Sequence, residues 1–148
     1  MKILLSLLEE IYALLEQIHT ITTNQTTILL QPKETNEEEN IAIDLIDSMV
    51  EYKDEIIKLV TDKEKEFEDA YSPLRGKITQ EDDVIMIKEA VNKVMNKKQD
   101  IVESEKDNML IMQNLGKKKA KVTHISATAN KVVTAYKKTT SENIKNDL

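Results

Sequence analysis

Cysteine and tryptophan are absent from the chain, and one phenylalanine and four tyrosines make up its aromatic content. Without cysteine there is no disulfide framework, no thiol nucleophile and no thiolate metal ligand, a usage compatible with the cytosol without requiring it. Two glycines, two prolines and 3% aromatic residues are poor material for sheets and tight turns. Long apolar runs are missing as well. The stretch Ile3 to Leu8 is followed at once by Glu9 and Glu10, with no small-residue cleavage site, so neither a signal peptide nor a membrane span is expected.

What remains is suited to long, charged helices. The 148 residues are 40% hydrophobic and 32% charged, enough for one sizeable core and hence one domain. The reading is an all-α fold, an elongated antiparallel bundle or coiled coil of three long helices. Helix 1 covers about 2–30, helix 2 about 38–71 and helix 3 about 81–137, followed by a flexible tail at 139–148. Gly116 is expected to break or kink the third helix.

The first helix carries a seam at Leu4, Leu7, Ile11, Leu14, Ile18, Ile21, Gln25 and Ile28, with Leu8, Leu15, Thr22 and Leu29 broadening it toward a second neighbour. Five threonines between Thr20 and Thr27 lower helix propensity, so packing must hold that half helical. Pro32 and the acidic run from Glu37 mark the first connection. The second helix opens with apolar residues so dense, from Ile41 to Val60, that burial on more than one side is expected. Its end, Thr61 to Asp69, is almost wholly charged and is expected to protrude, with Phe67 and Tyr71 as its anchors. Pro73 and Gly76 mark the second connection. In the third helix Val84, Ile87, Val91, Val94, Ile101, Met112, Leu115 and Val122 recur at helical spacing, and fifty-five helical residues would reach roughly 80 Å.

Little in the chain points to catalysis. Glu16 and His19 have the Glu-x-x-His spacing of helical di-iron sites, but a single pair lying off the seam is better read as a solvated face. His124 stands among lysines without a nearby acid. No phosphate loop, second ligand cluster or nucleophile–base pair is present. The expectation is a protein that is not an enzyme, with no cofactor and no metal.

Charge is unevenly spread. Glu34 to Asp69 holds fourteen acids against four lysines, whereas Lys117 to Lys138 holds seven lysines and no acid. The formal net charge of -6 hides this asymmetry. Lysines attract phosphate, but neither arginine forks nor stacking aromatics accompany these, so a solvated or acid-facing helix is the better reading than a nucleic-acid interface. Within the same segment Val122, Ile125, Ala129, Val132, Val133 and Tyr136 form an amphipathic stripe with no obvious partner in the chain, and such a stripe is a candidate binding surface. Met109 and Met112 lie just upstream, and methionine adapts to partners of varied shape.

The layout of a Leu-rich first helix (Leu4 to Leu15), a second helix with the string Glu51-Tyr52-Lys53-Asp54-Glu55-Ile56-Ile57, a long third helix and the terminal Val132-Val133-Thr134-Ala135-Tyr136-Lys137-Lys138 resembles the flagellar export chaperones. It looks most like the FlgN family, and the FliT family is similar. This resemblance implies a cytoplasmic protein that binds hook-filament junction (hook-associated) subunits before secretion, blocks their premature assembly and delivers them to the flagellar export gate. By position, Val122, Ile125, Ala129, Val132 and Val133 would bind the client, and Tyr136 would serve docking at the export gate. Two other classes remain open: a structural or adaptor coiled coil that self-associates as a homodimer, and a nucleic-acid-binding bundle.

Overall fold

The computed structural model describes residues 1–114, and over them the chain is all-helical. Helix α1 spans Lys2–Leu30, α2 spans Asn36–Tyr71 and α3 spans Glu81–Asn114, with a single 3-10 turn at Ser72–Leu74. The part of the third helix expected beyond 114, with its break at Gly116, and the tail at 139–148 lie outside the described residues.

Each helix owes its place in the bundle to an unbroken alternation of three- and four-residue steps among its buried positions. In α1 these are Leu4, Leu8, Ile11, Leu15, Ile18, Thr22, Gln25 and Leu29. In α2 they are Ile43, Ile46, Val50, Lys53, Ile57, Val60, Glu64, Phe67 and Tyr71. In α3 they are Ile87, Val91, Val94, Lys98, Ile101, Glu105, Asn108 and Met112. Such a pattern keeps one stripe of a helix turned toward its neighbours over many turns. Leu4, Leu7, Ile11, Ile18 and Gln25 of the expected α1 seam are buried, but its other edge is formed by Leu8, Leu15, Thr22 and Leu29, while Leu14, Ile21 and Ile28 are half-buried at its border.

Interhelical contacts give the topology. Glu10 pairs with Lys63 at 3.3 Å and Gln25 reaches the Ile46 carbonyl at 3.2 Å, so α1 and α2 run antiparallel. His19 lies 3.4 Å from Ser104 and the Asn108 amide donates to the Thr22 carbonyl at 3.1 Å, so α1 and α3 run parallel. Helix α1 packs along both partners, while α2 and α3 approach each other less closely and meet through long lysine and glutamate side chains.

The ends are shaped by local chemistry. Thr35 caps α2 by accepting from the Glu38 amide at 3.1 Å, and the Glu38 carboxylate accepts in turn from the Glu34 amide at 2.9 Å. This capping arrangement starts α2 two residues ahead of the expected boundary. Lys33 folds back to donate to the Leu29 carbonyl at 3.1 Å, which supplies the positive charge that the last turn of α1 lacks. Gly76 adopts a φ of 75° in the turn before α3, a conformation with little penalty for glycine.

Two expectations for α2 are corrected. Its charged end does not protrude: Phe67 and Tyr71 are buried in the main apolar cluster, and Glu64 between them and Val60 is buried too. Nor is its dense apolar half buried on more than one side. Ile41, Leu45, Tyr52 and Leu59 are about half exposed or more.

Candidate functional site

Two features stand out from the ordinary packing: a polar layer inside the bundle and an apolar stripe outside it. The apolar core is split in two. A long cluster includes Leu4, Ile18, Ile57, Phe67, Val94 and Ile101, and a short one joins Leu29, Ile46 and Met112. Between them lie Thr22 and Gln25 of α1, Lys53 of α2, and Glu105 and Asn108 of α3, all buried.

Lys53 is the hub. Its side chain is fully buried, and its three ammonium protons meet three acceptors: the Gln25 side-chain carbonyl at 2.6 Å, the Thr22 hydroxyl at 3.4 Å and the Glu105 carboxylate. That matches the full donor capacity of an ammonium group. Thr22 also donates to Glu105 at 3.0 Å, and the Gln25 amide donates to the Ile46 carbonyl. Thr26 bonds to the Asn108 side chain at the border of the layer. Burial pushes the Lys53 pKa below its ordinary value, and the Glu105 carboxylate opposes that shift only in part.

This layer has the composition of an acid–base site but not its access. The cavity beside it, lined by Gln25, Leu29, Ile46, Val50, Lys53, Glu105 and Asn108, measures about 10 Å³, room for about one water molecule. A substrate has no way to Lys53 in this arrangement. The layer's chemistry is structural: polar groups satisfied only when α1, α2 and α3 sit in one register.

A second buried ion pair, Lys98 with Glu64 at 3.0 Å, joins α2 and α3 closer to the Phe67 end. Burial raises the Glu64 pKa above its ordinary 4.5, against the lowering pull of Lys98. A carboxyl with a raised native pKa holds its proton in the folded state at a pH where the unfolded chain has lost it. Its contribution is therefore complete below pH 4.5 and declines as pH rises through the raised value. The stability difference between the parent protein and Glu64→Gln is expected to fall as pH increases from 4.5, measured by urea titrations at successive pH values. A difference that grows with pH instead would mean that Lys98 outweighs burial.

The outer stripe belongs to α2. Ile41, Leu45, Tyr52 and Leu59 lie within about 40° of one another around the helix at 3.6 residues per turn, and all four are exposed. Glu51, Glu55, Asp62 and Glu66 are exposed along one border of the stripe. Tyr52 also forms one wall of a shallow groove whose other wall is Ala13, Glu16, Gln17, Thr20 and Ile21 of α1.

The residues singled out for binding are distributed unevenly over this framework. Met112 is 1% exposed and packs with Leu29 and Ile46, while Met109 is half-buried. Val122, Ile125, Ala129, Val132, Val133 and Tyr136 lie outside the described residues. Glu16 is exposed and His19 half-buried on α1, with Ser104 as the histidine's neighbour. Among the described residues no group of three or more His, Cys, Asp or Glu could hold a metal ion, and no helix is long and apolar enough to cross a membrane.

Neither the polar layer nor the stripe was apparent from apolar periodicity alone. Lys53, Glu64, Lys98 and Glu105 do fall in step with the apolar alternation of their helices, and that step was the available signal. Compared with known protein families, characterised proteins and solved structures, the chain matches none.

Proposed function

We propose that this protein is a helical binding protein, without enzymatic activity, that captures an assembly-prone helical segment of another protein through its C-terminal amphipathic segment. In the terms of the resemblance, it is a cytoplasmic flagellar export chaperone for hook-associated subunits, with Val122, Ile125, Ala129, Val132 and Val133 on the client and Tyr136 at the export gate. One observation carries the reading. Among the described residues the apolar core is closed by α1, α2 and α3 themselves, with Met112 against Leu29 and Ile46 at one end.

Burying such a stripe against a client helix removes apolar surface from water at about 25 cal/mol per Å², offset by the cost of ordering both segments. The client's own assembly surface is covered in the same step. Met109, half-buried upstream, continues the contact toward the bundle, and Met112 supports it from inside.

Val132→Asp places a charge in the middle of this stripe and is expected to weaken binding of hook-associated subunits by at least about tenfold, or 1.4 kcal/mol, while helical content stays nearly unchanged. Titration calorimetry on the full chain with the purified subunits, together with far-ultraviolet circular dichroism, checks both halves. Unchanged affinity would remove the stripe from the interface. Global unfolding of the variant would place Val132 in the core and overturn the proposal.

A further inference from the structure

The exposed stripe of α2 needs an occupant, and three observations select one. The first is charge. Glu51, Glu55, Asp62 and Glu66 border the stripe and are exposed, so two copies of α2 laid antiparallel on this face would set acid against acid. A segment rich in lysine brings the opposite charge to this face: Lys117 to Lys138 carries seven lysines and no acid, six of them flanking the apolar positions Val122, Ile125, Ala129, Val132, Val133 and Tyr136 at either end.

The second is where the chain leaves the bundle. Met112 is in the cluster with Ile46 of α2, so α3 ends, at Asn114, at the end of the bundle where the stripe begins with Ile41 and Leu45. The third is length. A helix from Val122 to Tyr136 would measure about 21 Å, and the stripe from Ile41 to Leu59 about 27 Å, at 1.5 Å per residue. The seven residues between Asn114 and Val122 reach up to about 25 Å when extended, enough to cross the end of the bundle.

We infer that the segment Val122 to Tyr136 packs along the Ile41–Leu59 stripe of α2 as a fourth helix, running in the same direction as α2, with the lysines at its two ends set against an acidic helix. In this register Ile125 falls near Leu45 and Val132 near Tyr52. The inference holds whether or not the protein has a secreted client, and a client that uses the same stripe would have to displace the segment from α2.

The absence of native cysteine makes the test direct. In the full chain, Leu45→Cys with Ile125→Cys and Tyr52→Cys with Val132→Cys place thiols across the inferred contact, and Glu89→Cys with Val132→Cys places one on the exposed outside of α3. Under mild oxidation the first two pairs are expected to form intramolecular disulfides at least about tenfold faster than the third, at rates independent of protein concentration. Raising ionic strength to 1 M, where the Debye length is about 3 Å, is expected to narrow that advantage. Equal rates for all three pairs would mean a segment with no preferred seat on α2. Covalent dimers formed in preference to intramolecular bonds would assign the stripe to a second copy. Either result overturns the inference, and neither bears on the binding measured for Val132→Asp.

Discussion

Glu105→Leu, made alone, is expected to lower the unfolding free energy by about 3–5 kcal/mol, the usual cost of removing one partner from a buried ion pair. The substitution leaves a buried Lys53 ammonium hydrogen-bonded only to the neutral oxygens of Gln25 and Thr22, with the through-space pull of Asp54 as its remaining charge support. Against a total stability on the order of 5–15 kcal/mol for a domain, that is a large fraction. The urea midpoint should drop with little change in slope, because the surface exposed on unfolding is nearly the same. A loss below about 1 kcal/mol would mean that water reaches Lys53 and that the layer is not sealed.

The pH dependence of that variant provides a second reading of the same site. Burial already holds the Lys53 pKa below its ordinary 10.5, and Glu105 is the main group opposing the shift. Without Glu105 the native pKa falls further, so the unfolded chain binds the proton more strongly than the folded one between the lowered value and 10.5. Stability then rises with pH across that window. Glu105→Leu should therefore regain part of its loss as pH rises toward 10.5, and more of it than the parent protein gains. Lys53→Met combined with Glu105→Leu is expected to recover most of the stability, since an apolar pair of similar volume avoids the desolvation of both charges. What the double variant would lose is the requirement that α1, α2 and α3 share one register, because apolar side chains do not discriminate between neighbouring steps of a seam as a three-acceptor site for Lys53 does.

The three helices were legible because each carries its apolar residues at steps of three and four, and their limits were marked by Pro32, Pro73 and Gly76. Less legible was which side of α1 forms the centre of the seam. Leu7 and Leu8, Leu14 and Leu15, and Ile21 and Thr22 offer an apolar or tolerable residue on either line, and the choice is made by where α2 and α3 lie. Lys53, Glu64, Lys98 and Glu105 were hidden for a different reason. Charged residues are almost never fully buried unless paired, and pairing across α2 and α3 depends on a register that one helix read by itself does not contain. The same limit applies to the outer stripe of α2. Ile41, Leu45, Tyr52 and Leu59 look like core from their apolar character, and only the positions of the other two helices show that they face outward.

Phe67 gives the sharpest test of how α2 ends. If the charged run from Thr61 to Asp69 stood clear of the bundle, truncating Phe67 would remove a surface contact and change stability within about 0.5 kcal/mol. In the fold described here Phe67 is 1% exposed, belongs to the cluster that holds Leu4, Leu7, Ile87 and Val91, and stacks on Tyr71 with ring centroids 6.1 Å apart. The Arg75 guanidinium lies over the other ring at 5.7 Å from its centroid. Phe67→Ala should therefore cost about 3–5 kcal/mol, the range for removing a phenyl ring from a packed interior. Lys65→Ala, an exposed neighbour two residues away, serves as the control and should stay within about 0.5 kcal/mol of the parent. Thermal and urea unfolding of the two variants side by side decides the matter. Equal, small effects would mean that the charged end is detached, and with it the Lys98–Glu64 pair that joins α2 to α3.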